Sequence, residues 1–362
     1  MAVEEKAAVA VDSLTDEQAA DIFRLFGFEP EGLVRIYGGY ASSNFKATGK
    51  RPGDLDTRTL LLKINHYSIA VEDLDHQIYV MNHLKAFKFP TNYPHADLSG
   101  NFLVEGHDRR AMLLDFVDNA VSGSELMTRE EAEAPRILSE LSSALARLHL
   151  VTWPSDRTLR DVRSGYPVCN MGDLLRGEEL ERLEADPRFA GHELMAFLRQ
   201  NTDWLRELYA RDLPQGLIHG DGFLDNTLYE SGSASPSDRR LLALVDWEDS
   251  CVGPFVLDVA VCASAVCFTA CNDLSAERLR TVLAAYQARR PLSEAERAAL
   301  ADFMASGALA CAFYRFCEFN VRQPDSDARA KDTWRIMYER AKIIRAGKID
   351  AAVAAALAPA AG

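Results

Sequence analysis

Between Gln215 and Ser250 the chain reads QGLIHGDGFLDNTLYE, then SGSASPSD, then RRLLALVDWEDS. Two short apolar runs, Thr227-Leu228-Tyr229 and Leu241 to Val245, flank one polar, serine-rich loop that contains Pro236. Strand-like runs joined by a single loop of this kind pair as an antiparallel hairpin. The start of the first run then lies beside the end of the second, so Asn226 and Asp246 are expected side by side. An earlier apolar pair, Leu217-Ile218, leads into His219-Gly220-Asp221 and brings Asp221 to the same end on the incoming loop.

Each of these polar residues, taken singly, is ordinary turn chemistry. As a set, H-x-D-x-x-x-x-N followed by a strand ending in Asp, they are not something core packing requires. An amide oxygen and a carboxylate converging beside a second carboxylate form a hard-oxygen site, which suits Mg²⁺ held against phosphates.

Composition narrows the partners. The 362 residues are 48% hydrophobic and 26% charged, ordinary for a globular chain with length for two domains or lobes. A formal net charge of -14 argues against nucleic acid, whose phosphates need Lys and Arg. It tolerates a small cationic or zwitterionic substrate and is compatible with local basic sites for a nucleotide phosphate, since net charge says little about one cleft. The seven cysteines form no C-x-x-C pair, and most lie in apolar runs such as Val261-Cys262-Ala263, as expected of reduced thiols. The N-terminal MAVEEKAAVAVDS is acidic where a leader peptide would be basic, and Val252 to Ala270 is interrupted by Pro254 and Asp258. The expectation is therefore a cytoplasmic protein with no membrane span.

Along the chain, Ser13 to Glu17 reads as a helix start, with Ala19, Ile22, Phe23 and Phe26 at helical spacing before Gly27. Leu33 to Tyr37 and Asn44 to Thr48 read as strands around the small-residue turn Gly38 to Ser43, whose backbone N–H groups could approach phosphates. Thr59 to Ile64 is a third strand with Lys63 near its end, either a phosphate partner or an exposed strand-end lysine. Val71 to Phe87 carries a helical stripe of Leu74, Ile78, Met81, Leu84 and Phe87. Strands follow at Asn101 to Val104 and Ala111 to Val117, and the composition then changes from sheet-like to helical. Helices are expected over Glu130 to Leu150, Gly172 to Tyr209 with a break near Pro187, Ser275 to Arg289, Ser293 to Asn320 and Asp332 to Arg345. His149 reads as a packed or capping residue before a catalyst, and the Ala-rich end as a disordered tail. Asp258 either complements a helix dipole or braces the His219 loop.

These residues carry a resemblance. Leu217-Ile218-His219-Gly220-Asp221, Asp225-Asn226 and Leu244-Val245-Asp246-Trp247-Glu248 resemble the signature of the small-molecule kinases related to aminoglycoside phosphotransferase and choline kinase. The likeness runs over roughly residues 30 to 320. GLIHGDGFLDNTLY and the segment from Phe313 to Ile343 are most similar to type II homoserine kinase and hydroxylysine kinase. Gly222, and the Asp249-Ser250 and Gly253-Pro254 pairs, depart from that branch.

The resemblance implies an α+β, bilobal protein-kinase-like fold. An N-terminal antiparallel sheet lobe with one helix (1–117) would bind nucleotide, and a larger, mainly helical lobe (118–350) would hold the catalytic and acceptor residues, before a tail over 351–362. It implies ATP-dependent phosphorylation of a hydroxyl on a small metabolite, with ATP and Mg²⁺ as cofactors. Asp221 would orient or accept the hydroxyl proton, and His219 would fix the loop. Asn226 and Asp246 would hold the metal. Lys63 would pair with phosphates, Tyr40, Ser42, Ser43 and Asn44 would cover them, and Asp115, Phe116 and Val117 would meet the adenine. Glu72, Asp75 or Gln77 would orient Lys63. Trp247, Glu248, Asp249, Arg315 and Glu318 are the acceptor candidates; Arg315 and Glu318 could equally pair with each other on a solvated face. The acceptor would be an amino acid hydroxyl, with an amino alcohol or a sugar behind it. A non-catalytic nucleotide-binding protein is the alternative of another class. Oligomeric state is not legible.

Overall fold

A computed structural model describes residues 14–36, 42–66, 69–129, 133–154, 159–162, 177–232 and 239–358. Two compact units divide the chain, Met1–Ala120 and Val121–Gly362.

The first unit opens with helix α1 (Asp16–Leu25). Its start is fixed by a capping box: Gln18 N–H donates to Thr15 Oγ1 at 3.2 Å, and Thr15 N–H donates to Gln18 Oε1 at 2.9 Å. Strands β1 (Glu29–Ile36), β2 (Ser42–Lys50) and β3 (Arg58–His66) precede helix α2 (Val71–Ala86). Strands β4 (Pro94–His95), β5 (Val104–Gly106) and β6 (Arg109–Asp115) complete an antiparallel sheet, in order β1-β2-β3-β6-β4 with β5 also on β6. Strand alternation sorts its two faces. Phe45, Ala47, Leu60, Leu62, Ile64, Ala111 and Leu113 share a core with Ile22 and Phe23 of α1 and with Phe26 just after it. Fully burying each large apolar side chain there contributes roughly 1.5–3 kcal/mol. The register Asn44↔Lys63↔Met112 puts those three on the opposite face.

The second unit begins with strand β7 (Ala120–Ser122) and helices α3 (Gly123–Arg129) and α4 (Ala134–Leu148). Helices α5 (Glu178–Ala185) and α6 (Glu193–Tyr209) follow, then strands β8 (Gln215–Ile218), β9 (Thr227–Glu230), β10 (Leu241–Leu244) and β11 (Cys251–Pro254). The remaining helices are α7 (Phe255–Val266), α8 (Ala276–Gln287), α9 (Glu294–Phe316), α10 (Ala328–Asp332), α11 (Trp334–Arg345) and α12 (Asp350–Leu357). Helix α7 is buried on nearly every side and packs against α9, which in turn packs against α11. Among the described residues no helix is long and apolar enough to cross a membrane.

Several expectations are corrected. The Ala-rich end is helical over α12, because Val353 and Ala356 find a buried seat against α8. The strand expected at Asn101 starts at Val104, since Asn101 is drawn into a turn with Asp97: its N–H donates to Asp97 Oδ1 at 2.8 Å and its Nδ2 to Oδ2 at 3.0 Å. The paired strand expected from Ala111 begins at Arg109, because His107 and Asp108 form a two-residue hairpin turn with φ of 52° and 55°. The helix expected to run from Ser293 to Asn320 is α-helical only to Phe316 and continues as a π-turn over Cys317–Arg322.

Candidate active site

Strand β8 pairs with β11, from Ile218↔Cys251 to Gln215↔Pro254, and delivers the chain into His219-Gly220-Asp221. Gly220 has φ +84°, and a Cβ there would stand 2.5 Å from the Asp249 carbonyl oxygen. Only glycine meets both conditions without strain. A 3₁₀ turn at Leu224–Asn226 then feeds β9.

The hairpin forms as its sequence requires, with Leu244 opposite Thr227 and Val245 N–H donating to the Asn226 carbonyl at 2.9 Å. Asp246 follows at once, exposed, with a left-handed φ of 68°. Asn226 Nδ2 donates to Asp221 Oδ2 at 2.7 Å and to the Asp221 carbonyl at 3.0 Å. The amide therefore spends its nitrogen on Asp221 and keeps its oxygen as an acceptor. Asp221, Asn226 and Asp246 thus meet at one end of the hairpin.

His219 is fully buried. Its Nε2 donates to the Val245 carbonyl at 3.1 Å, and its Nδ1 accepts the Asp221 N–H at 3.3 Å. Nε2 ties the loop to the end of β10 and Nδ1 holds the loop's own backbone, which suits fixing the loop and not shuttling protons. The Asp258 carboxylate accepts the N–H groups of His219 and Gly220, each at 2.9 Å. Of the two readings open for Asp258, the brace is the one the contacts support. His149 Nε2 lies 2.9 Å from Asp258 Oδ2. Burial favours the neutral carboxyl, yet the bonds from His149 and His219 outweigh it and hold Asp258 below its ordinary pKa. Burial also pushes the His149 imidazole below its ordinary value, so the ring is neutral.

On the acceptor side, Trp247 is 1% exposed and its ring leans on His219 at 4.8 Å. It is a packing wall behind the loop, because its neighbours close over it, and it offers no face to an acceptor. Gly222 also points away: a Cβ there would meet Leu145 and Cys262 in the core. Glu318 does not pair with Arg315. It accepts Arg322 Nη1 at 3.0 Å and Gln323 Nε2 at 2.6 Å, because the π-turn brings those residues back over it. Arg315 Nη1 reaches the Thr333 carbonyl at 3.4 Å.

Cys311 and Tyr314 were not anticipated from sequence. The Cys311 thiol is pushed up by burial and feels the charges of Arg315, Asp221, Arg340 and Asp249. The Tyr314 phenol is pushed well above its ordinary value by burial, then by Glu318, Asp249 and Glu248. The last turns of α9 therefore lie within electrostatic range of Asp221, Glu248 and Asp249. Cys311, Arg315 and Glu318 follow one another at helical spacing, and that stripe was the available signal.

In the first unit, Lys63 is 8% exposed on the face it shares with Asn44. Ser42 lies opposite Asn65 on that face, whereas Ser43 is 5% exposed on the α1 side. The side chain of Ser43 cannot cover what Lys63 holds, because successive residues of a strand alternate. Tyr40 lies outside the described residues. Of the three candidates to orient Lys63, Gln77 is buried while Glu72 and Asp75 are exposed. Asp115 N–H donates to the Tyr93 carbonyl at 2.9 Å, and its carboxylate takes His95 Nε2 at 2.6 Å and Tyr93 N–H at 3.3 Å. The strand then ends, and Phe116 and Val117 leave the sheet.

Among the described residues no three His, Cys, Asp or Glu side chains gather as a metal cluster. The Asn226 amide oxygen and the Asp246 carboxylate are two hard donors of the kind a divalent cation takes alongside phosphate and water oxygens.

Residues 32–299 match the family model described as APH, phosphotransferase enzyme family. The chain is 29% identical over 284 residues to a homoserine kinase of Rhodospirillum rubrum, covering 78% of this chain and 80% of that one. It is 31% identical over 249 residues to a homoserine kinase of Bradyrhizobium sp. (strain BTAi1), covering 68% and 69%. Among solved structures, amicoumacin kinase hAmiN in complex with AMP-PNP, Ca²⁺ and Ami has the same fold, with a TM-score of 0.66 over 92% of this chain and 94% of that one, at 15% identity.

Proposed function

The chain belongs to the phosphotransferase enzyme family and acts on a hydroxyl group; from that premise we propose that it transfers the γ-phosphoryl group of ATP to the side-chain hydroxyl of a small amino acid, homoserine first. What supports the choice of acceptor is the likeness to the homoserine kinases, together with the charges of Arg315, Asp221, Arg340 and Asp249 that reach the Cys311 thiol. An amino acid needs three contacts: a group to orient its hydroxyl, an anion for its ammonium and a cation for its carboxylate. Asp221, Asp249 with Glu248, and Arg315 would supply them in that order. A guanidinium matches a carboxylate in shape as well as charge. The homoserine kinase relatives and the binding of AMP-PNP and Ca²⁺ by amicoumacin kinase support the same reading.

Asp221, oriented by Asn226, would accept the hydroxyl proton as the oxygen attacks. Asn226 and Asp246 would hold a divalent cation, Mg²⁺ in our reading, whose role is to neutralise phosphate charge. Lys63 would add a second positive charge at the phosphates, with Ser42 and Asn44 beside it on the same sheet face. The backbone of Phe116 and Val117 would meet the adenine. Such a site works by positioning and charge neutralisation and needs no covalent intermediate.

The test is a panel of acceptors with ATP: homoserine, hydroxylysine, choline, ethanolamine and an aminoglycoside. ADP release and product mass would be measured. Homoserine should give the highest kcat/KM, and Arg315→Met should raise its KM by about 10²-fold while leaving acceptors without a carboxylate unchanged. Asp221→Asn should lower kcat about a hundredfold or more, the scale of a lost acid–base group. A higher kcat/KM for choline or an aminoglycoside would replace the amino acid reading. Near-normal turnover in a folded Asp221→Asn protein would remove Asp221 from its role.

A further inference from the structure

Behind the brace of the catalytic loop runs a second layer of polar groups. His149, at the end of α4, has no exposed side-chain surface. Its Nδ1 lies 2.6 Å from the Tyr286 hydroxyl of α8. Arg290, just beyond α8, donates from Nη1 to that hydroxyl at 3.1 Å and to Glu296 Oε1 at 2.9 Å. The Arg290 guanidinium also lies over the Phe255 ring at 4.4 Å, and Phe255 stacks on His149 at 4.6 Å.

These bonds have one consistent direction. Asp258 accepts the backbone of His219 and Gly220 as a carboxylate, so His149 Nε2 has to be the donor. In a neutral imidazole Nδ1 is then an acceptor, and the Tyr286 hydroxyl has to supply the proton. The phenol oxygen is left to accept, which it does from Arg290. A cationic His149 would give the Tyr286 oxygen two donors and leave the hydroxyl proton with no acceptor. Burial, with the nearby Arg290 charge, disfavours that state and outweighs Asp258 and Glu296, which favour it.

We propose that Tyr286 and Arg290 are positioning residues of the transfer reaction: they set the tautomer of His149 and, through it, the orientation of Asp258 and of the loop that presents Asp221. Glu296 anchors the outer end, and the Ser293–Glu296 capping box fixes Glu296 at the start of α9. The geometry of the loop therefore depends on groups on α8 and α9 that never touch substrate. Removing the phenol hydroxyl leaves Nδ1 buried without a donor, so the ring is free to rotate or change tautomer, and Asp258 loses its fixed partner.

The inference rests on the function proposed above only for its kinetic arm. Tyr286→Phe should keep KM for ATP and acceptor and lower kcat about tenfold. Arg290→Lys, which keeps a cation beside Glu296, should recover most of the rate lost in Arg290→Met. Combining Tyr286→Phe with His149→Gln should cost no more than His149→Gln alone, because both act through one ring. A substrate-independent arm uses backbone amide hydrogen exchange and the ¹⁵N shifts of the His149 ring. Tyr286→Phe should speed exchange at His219 and Gly220 by about tenfold, and the ring should lose its single Nε2–H signature. Additive rate losses, or unchanged exchange at both amides in the folded variant, would overturn the proposal. If no acceptor is turned over by the unmodified protein, the function fails while the exchange and shift measurements still decide the inference.

Discussion

Gly220 shows how narrowly one residue can be specified. Its positive φ and the 2.5 Å approach of the Asp249 carbonyl leave no place for a methyl group. Gly220→Ala should push apart the two loops that carry Asp221 and Asp249, costing about 1–3 kcal/mol, the range for strained backbone. A Tm and kcat both at the unmodified level would show that the approach does not constrain the site. Gly222, two positions on, is a milder case, since its added Cβ would come no nearer than 3.4 Å to Leu145. Neighbouring glycines in one motif thus answer to different constraints. The sequence showed both residues, but only Gly220 has a carbonyl pressed against it.

At the scale of elements, the hairpin of β9 and β10 was legible because both its causes are local: two apolar runs and one loop. The helix α12 was not legible. A run of alanines has strong helix propensity but little apolar surface, and it orders because Val353 and Ala356 reach a neighbour. Ending the chain at Lys348 would expose the seat of Ile349, Val353 and Ala356, which are 3%, 6% and 9% exposed. After the lost helix entropy is set against that burial, the net loss should be about 1–3 kcal/mol. Thermal unfolding should move down by a few degrees with KM unchanged. An unaltered Tm would mean that α12 contributes nothing to the unit.

For the larger unit as a whole, the buried His149–Asp258 pair links stability to pH. The His149 pKa is lower folded than unfolded, so its neutral state stabilises the fold fully above the unfolded value of about 6.5. That contribution is lost as pH falls from there towards the lower folded value. Asp258 is also held low, so its contribution is present above the ordinary carboxylate pKa and disappears only as pH falls through its folded value. Tm should therefore decline in two stages on acidification, the first starting near pH 6.5. His149→Gln should lose the first stage and move the second to higher pH, because His149 is the largest influence holding the Asp258 carboxyl low. A flat Tm between pH 7.5 and 5 would show that the imidazole does not titrate with unfolding.

Taken by itself, the sequence determined what depends on near neighbours: the hairpin, the placing of Asn226 and Asp246 side by side at its end, the start of α1 and most helix spans. Those follow from spacing along the backbone. Tertiary structure decided which side of each element is covered. It buried Trp247, turned Ser43 towards α1, gave Glu318 to Arg322, and joined His149 to Tyr286 across 137 residues. A side chain's face becomes inside or outside only when another element lies against it, and that element is placed by the packing of the whole unit.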